Sequence, residues 1–479
     1  MKKTEAIRDY HSLLHDLWPH QKKEVEKFQA LTHRALFFEM GTGKTRTAIV
    51  CYLQKCLMEG RKLNTLILCP KIMVETWKRE LEKLLPQDFH SLIVPLTGDG
   101  TKRKRLLQLQ FAPRIFITNI EALGMKDIPA MLAKKKLDFI IVDESHKLKD
   151  PKGIRFKALC SFIDDIKYRL ILTGSPILNN YEDIWTQFRL LSKNILGDNF
   201  YKWRLQNFYN ANSNKPFLTF PAWVIKPDSL PKIERLIHDN AGVAEKKNVM
   251  KYLPPLVRKE IIVELTDDIK RSYKEMEKHF VAEVNDEIIS ADIVITKMIR
   301  LQQLVNGIVT NQEGEVSTVP VAKHEAIKQL LTDLCPKHKV IVWANFTQCL
   351  KDVARICDEL GLYFVTIQGG QSDKERQEAI DNFNNTKIYS VCVANQQAGG
   401  VGIGLQAASY MIYYSKDYRL EQDIQSEARA HRGGSEVHEC ITRIDLVTKG
   451  TIEEEITTAL REKMKLGDII RGVKERCRI

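Results

Sequence analysis

The sequence predicts an α/β protein with two doubly wound parallel sheets and a mainly helical insertion between them. The chain has 479 residues, too many for one ordinary hydrophobic core. Short apolar runs alternate with amphipathic helical patterns near the start and again near the end, which is typical of parallel sheets. The stretch between them lacks this alternation. We therefore expect a first domain at residues 1–185, an insertion and interdomain bridge at 186–320, and a second domain at 321–479.

The first sheet is predicted to open with a strand, a glycine-rich loop and a helix. Apolar residues lead into the loop, and residues 46–53 fit a helix. Such a loop directs several backbone N–H groups at one point, which suits a phosphate, although Phe38 stands where the full phosphate-loop pattern has a glycine. Lys44 would contact the phosphates, and the Thr45 hydroxyl would bind Mg²⁺. The predicted nucleotide-binding residues are Met40, Gly41, Thr42, Gly43, Lys44 and Thr45, preceded by Gln21, whose amide suits the edge of adenine.

Four further strands are predicted in this domain, at residues 65–69, 91–95, 114–118 and 137–142, and a fifth at 169–173. The 137–142 strand is apolar apart from Asp138, as a central parallel strand requires, and it ends at Asp143 and Glu144. Two adjacent carboxylates at a strand end are costly unless a cation or a water molecule needs them. We expect Asp143 to hold Mg²⁺ opposite Thr45. Glu144 is expected to orient and deprotonate the attacking water.

The second series of strands and helices begins near Lys323 and contains a polar helix that starts near Leu420. This helix carries Gln425, Arg429 and Arg432, and the two arginines are three residues apart and share a face. Phosphoryl transfer gains most from positive charge on the transition-state oxygens. We therefore expect these three residues to complete ATP hydrolysis when the second domain closes on Lys44 and Asp143. Closure and opening would then form a mechanical stroke.

A nucleic acid is the expected macromolecular partner. The formal net charge is +12 and the pI is about 9, which favours a polyanion. Polar or glycine-containing turns at strand ends offer backbone donors, and such donors follow phosphates without reading base sequence. The candidate contacts are Lys71, Thr118, Asn119, Asn345, Gln368, Gly369, Gly399 and Gly400.

The cellular compartment is predicted from the apolar runs, the N-terminal sequence and the cysteines. No apolar run reaches the length of a membrane span, and the N-terminus is polar rather than signal-like. The ten cysteines form no C-x-x-C pair, which predicts free thiols in a reducing compartment and does not indicate a zinc site. We expect a cytoplasmic, DNA-associated protein that is not secreted.

Six motifs follow one another along the chain, at residues 39–45, 143–146, 172–180, 398–407, 425–432 and 446–454. Their order resembles that of superfamily 2 helicases and, within them, the Swi/Snf-type ATPases. The resemblance implies two RecA-like domains, use of ATP and Mg²⁺, DNA-stimulated hydrolysis and translocation along duplex DNA, with Gln21 at adenine. The short insertion and the lack of a chromatin-reading module favour a minimal bacterial or phage enzyme, a monomer that acts on branched DNA, stalled forks or DNA-bound proteins.

Two other functions remain open at this point. One is an RNA or DNA helicase of the same superfamily that separates strands. The other is a nucleic-acid-binding module that uses ATP as a switch and does not turn it over. The second alternative is opposed by the presence of all six predicted residues of the hydrolysis machinery, Lys44, Asp143, Glu144, Gln425, Arg429 and Arg432.

Overall fold

The computed structural model describes residues 10–108, 114–177, 180–213, 221–286, 291–310, 316–397 and 404–463. The contacts of the chain divide it into two compact units, with the boundary between Lys251 and Tyr252. Within the described ranges, no helix combines the length and the apolarity needed to cross a membrane. Every cysteine in these ranges is a free thiol, as the composition predicts.

The first unit is built on a seven-stranded sheet with the order β3-β4-β2-β5-β6-β1-β9, in which every pair of neighbours is parallel. A two-stranded antiparallel ribbon, β7 with β8, accompanies it. The strands are β1 (His33–Phe38), β2 (Thr65–Cys69), β3 (Ile93–Pro95), β4 (Ile115–Asn119), β5 (Phe139–Asp143), β6 (Tyr168–Leu172), β7 (Phe208–Asn210), β8 (Trp223–Ile225) and β9 (Ala241–Ala244).

Helices connect these strands, as parallel pairing requires. The described helices with full bounds are α1 (Pro19–Phe28), α2 (Lys44–Glu59), α3 (Val74–Leu84), α4 (Gln87–His90), α5 (Gly100–Gln108), α6 (Ile128–Ala133), α7 (Ile154–Cys160), α8 (Asp183–Leu191), α9 (Lys193–Leu196), α10 (Phe200–Asn207), α11 (Leu230–Asn240) and α12 (Lys246–Val249). Short 3₁₀ turns lie at Lys71–Met73, Ile120–Gly124, Ser145–Leu148 and Ile163–Asp165.

Strand β5 is central to this sheet and is buried along its whole length. Ile140 and Val142 enter one apolar core, and the intervening Ile141 is buried on the opposite face. A strand covered on both faces must be apolar throughout, which is why its sequence shows a continuous run rather than alternation. The predicted central strand is confirmed.

The carboxyl ends of the strands in the first unit lie at one edge of the sheet. Cys69 at the end of β2 pairs with Asn119 at the end of β4, and Asp143 at the end of β5 pairs with Leu172 at the end of β6. Because all neighbours are parallel, the segments that follow these strands emerge side by side. This register gathers the polar residues of the predicted nucleotide site.

Strand β9 comes from the stretch predicted to be part of the insertion, yet it joins the first sheet beside β1. It has four residues and contains Gly242, so its sequence carries little strand signal. A side chain at Gly242 would place its Cβ 2.3 Å from the carboxyl carbon of Glu24, which is buried and accepts a 2.9 Å bond from Arg34. The close approach to this buried ion pair explains the glycine.

The second unit is built on a six-stranded parallel sheet with the order β10-β17-β16-β13-β15-β14. It also contains a separate two-stranded antiparallel sheet formed by β11 and β12. Its strands are β10 (Leu256–Val263), β11 (Ile308–Thr310), β12 (Val316–Thr318), β13 (Val340–Ala344), β14 (Phe364–Ile367), β15 (Val391–Asn395), β16 (Tyr410–Tyr413) and β17 (Ile441–Thr448). Its described helices with full bounds are α13 (Asp267–Asp286), α14 (Ala291–Val305), α15 (Ala322–Leu334), α16 (Thr347–Glu359), α17 (Asp373–Asn385) and α18 (Leu420–Ala430).

Strand β13 shows how this second sheet is covered on both faces. Val340 and Val342 belong to one buried cluster, and Ile341 and Trp343 belong to another. The edge strand β10 comes from the predicted bridge and pairs with β17 over eight residues. The stretch 186–320 therefore contributes one strand to each large sheet, in addition to its helices.

Candidate functional site

The glycine-rich loop joins β1 to α2 through a tight turn. Gly41 and Gly43 have φ angles of 83° and 87°, which residues with a Cβ rarely adopt. A Cβ on Gly43 would also lie 1.8 Å from Nε2 of Gln21. The backbone conformation and this close neighbour both require glycine at position 43, so the loop is held in the form that precedes a helix N-terminus.

Lys44, the first residue of α2, extends back over the end of β1. Its Nζ donates a 2.9 Å hydrogen bond to the carbonyl of Phe38 and lies 3.4 Å from that of Glu39. A Cβ on Gly174, which follows β6, would come 3.5 Å from the same Nζ. The ammonium group therefore lies at the shared edge of β1 and β6, beside the loop whose N–H groups suit a phosphate.

Asp143 ends β5 with its carboxylate buried and bound on both oxygens. Oδ2 accepts a 2.9 Å hydrogen bond from the indole N–H of Trp77, and Oδ1 accepts a 3.0 Å bond from the backbone N–H of Glu144. Burial, followed by the negative charge of Glu144, raises the pKa of Asp143 to about 6, while Trp77 and Lys44 oppose that rise. A positive charge at this carboxylate would be strongly favoured.

Glu144 is buried and has a φ of 51°, a left-handed conformation that is uncommon for a residue other than glycine. Its Oε2 lies 3.3 Å from Nδ1 of His146. Holding such a conformation costs on the order of 1–3 kcal/mol, and strained residues of this kind cluster at functional sites. The turn brings the Glu144 carboxylate close enough to act electrostatically on Asp143, and a carboxylate in this position is a candidate general base for a water molecule.

These residues fit a divalent cation. The carboxyl groups of Asp143 and Glu144 are both buried, the positive charge of Lys44 acts on Asp143, and the hydroxyl-bearing Thr45 is the second residue of α2. Oxygen donors of this kind are what Mg²⁺ prefers. A bound Mg²⁺ would supply positive charge to the phosphate oxygens, while Asp143 and Thr45 would hold it.

His146 and Thr173 extend the site to the next strand, and neither is among the site residues predicted from the sequence. Nδ1 of His146 lies 2.8 Å from Oγ1 of Thr173, and the same oxygen accepts a 3.0 Å bond from the backbone N–H of Ser175. Both residues are buried. The signal that identifies them is their position within three residues of the carboxyl ends of two neighbouring parallel strands.

Gln21 lies against the loop and is almost completely buried. Its Oε1 accepts a 3.0 Å bond from the backbone N–H of Trp18, and its Nε2 donates a 3.1 Å bond to the carbonyl of Thr42. His20 contacts the same carbonyl through Nε2, at 2.9 Å. Gln21 is thus placed at the loop by the structure, and its contact with adenine stays a prediction.

The second unit carries the remaining predicted catalytic residues on α18 and just beyond it. Gln425 donates a 2.9 Å bond to Glu421, and the carbonyl of Arg429 accepts a 2.9 Å bond from the N–H of Leu405. Burial lowers the pKa of Arg432, and its Nη1 lies 3.4 Å from the position of a Cβ built on Gly404. The catalytic roles of these residues stay predictions.

Arg443 on β17 anchors this helix and was missed at the sequence level. It is buried, it donates 2.7 and 2.9 Å bonds to the carboxylate of Asp423, and it contacts Glu427 at 3.1 Å. It also bonds Asp445, and its guanidinium lies 3.8 Å from the centre of the Tyr413 ring. Since Asp423 and Glu427 are one turn apart on α18, Arg443 sets the rotation of the helix that presents Gln425.

The residues predicted to contact nucleic acid differ in their exposure to solvent. Lys71 and Gly369 are exposed, and Asn345 and Gln368 are half-buried. Thr118 is completely buried, and its hydroxyl accepts a 2.7 Å bond from Arg103 and donates to the carbonyl of Leu96. Asn119 is also buried. The structure thus removes the Thr118 and Asn119 side chains from the exposed candidates, while Gly399 and Gly400 lie outside the described residues.

Comparisons with known proteins agree with the order of these motifs. A family model described as SNF2-related domain matches residues 20–312, and one described as helicase conserved C-terminal domain matches residues 322–434. An uncharacterized ATP-dependent helicase of Mycoplasma pneumoniae is 27% identical over 89% of this chain and 39% of its own length. The chromodomain-helicase-DNA-binding protein 3 homolog of Caenorhabditis elegans is 27% identical over 92% of this chain and 25% of its own length.

A solved structure, the Sulfolobus solfataricus SWI2/SNF2 ATPase core in complex with dsDNA, aligns with 95% of this chain and 93% of that chain, at 21% identity and a TM-score of 0.43. The chain spans about two fifths or less of the length of the two curated relatives named above.

Proposed function

The chain belongs to the SNF2-related family, and from this premise we propose that it is a nucleic-acid-dependent ATPase that converts ATP to ADP and phosphate and moves along duplex or branched DNA. The movement would remodel DNA junctions or protein–DNA complexes. Because the chain spans only part of its curated relatives, the proposal rests on its own site geometry together with the family.

One observation carries the ATPase proposal. Lys44, Asp143 and Glu144 come from the ends of two parallel strands and their loops, and they meet at one edge of the first sheet. The loop N–H groups and Lys44 would bind the phosphates of ATP, Asp143 and Thr45 would hold Mg²⁺, and Glu144 would accept a proton from the attacking water. The left-handed conformation of Glu144 supports a role beyond packing.

The second unit is proposed to supply positive charge in the transition state. Arg432, and Arg429 one turn before it, would neutralise the transferring phosphoryl group. Gln425 would help to position the attacking water. Because the two halves of this machinery belong to different compact units, each cycle of hydrolysis would move one unit against the other.

DNA is proposed as the track, held mainly through its phosphates. The chain carries a formal net charge of +12, and Lys71 and Gly369 are exposed at the carboxyl ends of strands in the first and second sheets respectively. Backbone and lysine contacts of this kind supply affinity that does not depend on base sequence. Roles in repair or recombination would follow from a preference for branched DNA.

The deciding experiment measures ATP turnover by the purified chain with single-stranded, duplex, forked, four-way and RNA ligands. Stimulation by duplex or branched DNA, with displacement of a triplex strand or a bound protein and without separation of a plain duplex, is the expected result. Strand separation on forked or RNA duplexes would favour the helicase alternative. ATP binding without turnover on every ligand would favour the ATP-switched binding module.

A further inference from the structure

Trp77 connects the metal-site carboxylate to a proposed DNA-contacting segment. We propose that Trp77 is a positioning residue: its indole N–H fixes the Asp143 carboxylate for Mg²⁺ and transmits contact of DNA at Lys71 to the metal site. This inference rests on the proposed function, since it assigns a route by which DNA stimulates the ATPase. Trp77 itself would contact neither ATP nor metal.

The first step of the argument is the hydrogen bond itself. Nε1 of Trp77 donates to Oδ2 of Asp143 at 2.9 Å, and both side chains are buried, with 0% and 4% of their surfaces exposed. Within the part of the chain that the structure describes, Trp77 is the only side chain that donates to this carboxylate. With Oδ1 bound by the N–H of Glu144, both oxygens are oriented, and each keeps a lone pair for a cation.

The second step is the continuity of the chain between Lys71 and Trp77. Strand β2 ends at Cys69, and a 3₁₀ turn begins at Lys71. The carbonyl of Lys71 accepts a hydrogen bond from the N–H of Val74, the first residue of α3. Trp77 is the fourth residue of that helix, so only five residues of turn and helix separate the exposed lysine from the buried indole.

The third step is the way in which α3 is held. Val74, Trp77, Leu81 and Leu84 are buried at spacings of three and four residues, so they form one apolar face of the helix. A helix packed along such a face moves as a body rather than bending between its turns. Movement of Lys71 toward a phosphate would therefore move the indole relative to Asp143.

The chemistry favours such coupling. Some residues hydrogen-bond to a metal-binding side chain without touching the metal. Replacing such a residue commonly lowers metal affinity or activity 10- to 100-fold. A buried carboxylate without its donor can rotate, and the geometry that Mg²⁺ demands is narrow. A side chain that served only to fill apolar space would not need a hydrogen-bond donor. Trp77 directs its only side-chain donor, the indole N–H, at the carboxylate of Asp143.

The test compares Trp77→Phe with Trp185→Phe in the full chain. Trp185 is also buried in the first unit, and its Nε1 has no hydrogen-bond partner among the described residues, so the same change removes no bond there. Binding of Mn²⁺, an EPR-visible substitute for Mg²⁺, is measured with a non-hydrolysable ATP analogue, with and without saturating duplex. Thermal melts of both variants report folding.

In the wild type we expect duplex to tighten Mn²⁺ binding. Trp77→Phe should weaken Mn²⁺ binding about 10-fold and remove the effect of duplex, whereas Trp185→Phe should keep both. Wild-type Mn²⁺ affinity in Trp77→Phe, with and without duplex, would overturn the inference.

If Trp77→Phe does not fold, Lys71→Ala carries the test, because the residue is exposed. At saturating duplex, this variant should lose most of the tightening of Mn²⁺ binding. Full tightening in Lys71→Ala would overturn the coupling. A wild-type chain that binds the ATP analogue and Mn²⁺ but shows no response to duplex would also overturn it, whereas failure to bind the analogue at all would refute the proposed function itself.

Discussion

Nδ1 of His146 lies 2.8 Å from Oγ1 of Thr173, and this contact joins the segment after β5 to the residue that follows β6. His146 also approaches Glu144, at 3.3 Å. The proposed general base is therefore connected to the next strand through one imidazole and one hydroxyl group. A hydrogen-bond network that links two strand ends in this way can transmit a displacement of one strand end to the other.

Thr173→Val should destabilise the first unit and slow ATP turnover. The change keeps the shape of the side chain but removes the hydroxyl group that contacts Nδ1 of His146 and accepts a bond from the Ser175 N–H, and the loss of these buried contacts costs about 1–3 kcal/mol. Misplacement of Glu144 through His146 should lower turnover about 10- to 100-fold. Urea unfolding and ATPase assays measure the two effects.

The matched control for this change is Thr65→Val. Thr65 is buried at the start of β2, at the opposite edge of the sheet, and its hydroxyl donates to the carbonyl of Leu63. The Thr65→Val variant should be less stable than the wild type, but each folded molecule should turn over ATP at the wild-type rate. Equal losses of turnover in the two variants would show that Thr173 acts only through packing.

Glu144→Gln should retain ATP binding and lose hydrolysis. The amide keeps the size of the side chain but cannot accept the proton of the attacking water, so turnover should fall by about 10²–10⁴. Binding of a fluorescent ATP analogue and phosphate release are the measurements. Glu59→Gln, at the far end of α2, is the control and should turn over ATP normally. Unchanged phosphate release in Glu144→Gln would show that Glu144 is not the general base.

Arg432→Ala should spare ATP binding and lower turnover by about 10³ or more, because positive charge on the transferring phosphoryl group acts only in the transition state. Single-turnover phosphate release with and without duplex measures this. Arg419→Ala is a suitable control, since Arg419 is exposed at the start of α18 and bonds Asp417. Normal turnover in Arg432→Ala would show that this residue is misassigned.

The second unit should lose stability in acid because of its buried ion network. Burial would raise the pKa of Asp445, but Arg443 and Lys416 outweigh it and hold the pKa below its ordinary value of 3.8. The pKa of Glu427 is likewise held below 4.5 by Arg443 and Arg258. For carboxyl groups with a lowered pKa in the folded state, the stabilisation is present above the unfolded pKa and is lost as the pH falls through the folded value.

Hydrogen exchange of residues 420–448 tests this pH dependence. Protection should be constant near neutral pH and should fall below about pH 4.5. Asp445→Asn should lower protection at neutral pH and make its pH dependence shallower. A wild-type pH profile in that variant would show that Asp445 does not carry the effect.

DNA affinity should fall steeply as salt rises, because phosphate contacts release counterions. Lys71→Ala should weaken binding to all sequences equally and should reduce the slope of log affinity against log salt by about 1. Lys167→Ala, just before β6 at the opposite edge of the sheet, should leave the slope unchanged. Fluorescence anisotropy at several salt concentrations is the measurement, and a salt-independent affinity would contradict backbone tracking.

Much of the fold can be predicted from the sequence because its signals are local. The apolar run before Asp143 predicts β5 within two residues, and the glycine-rich loop predicts the start of α2. Strand β9 escapes prediction because four small residues with a glycine carry too little pattern. Its place beside β1 depends on a long-range pairing that no local period encodes.

The sequence by itself determined which residues have the chemistry for a phosphate loop, a metal carboxylate and a general base, because each of these groups is set by a short contiguous motif. Only the tertiary structure decided that Trp77 supports Asp143, that Arg443 holds α18, and that the Thr118 side chain is buried rather than exposed. The physical reason is that each of these facts depends on strand register and helix packing, which bring together residues far apart in the chain.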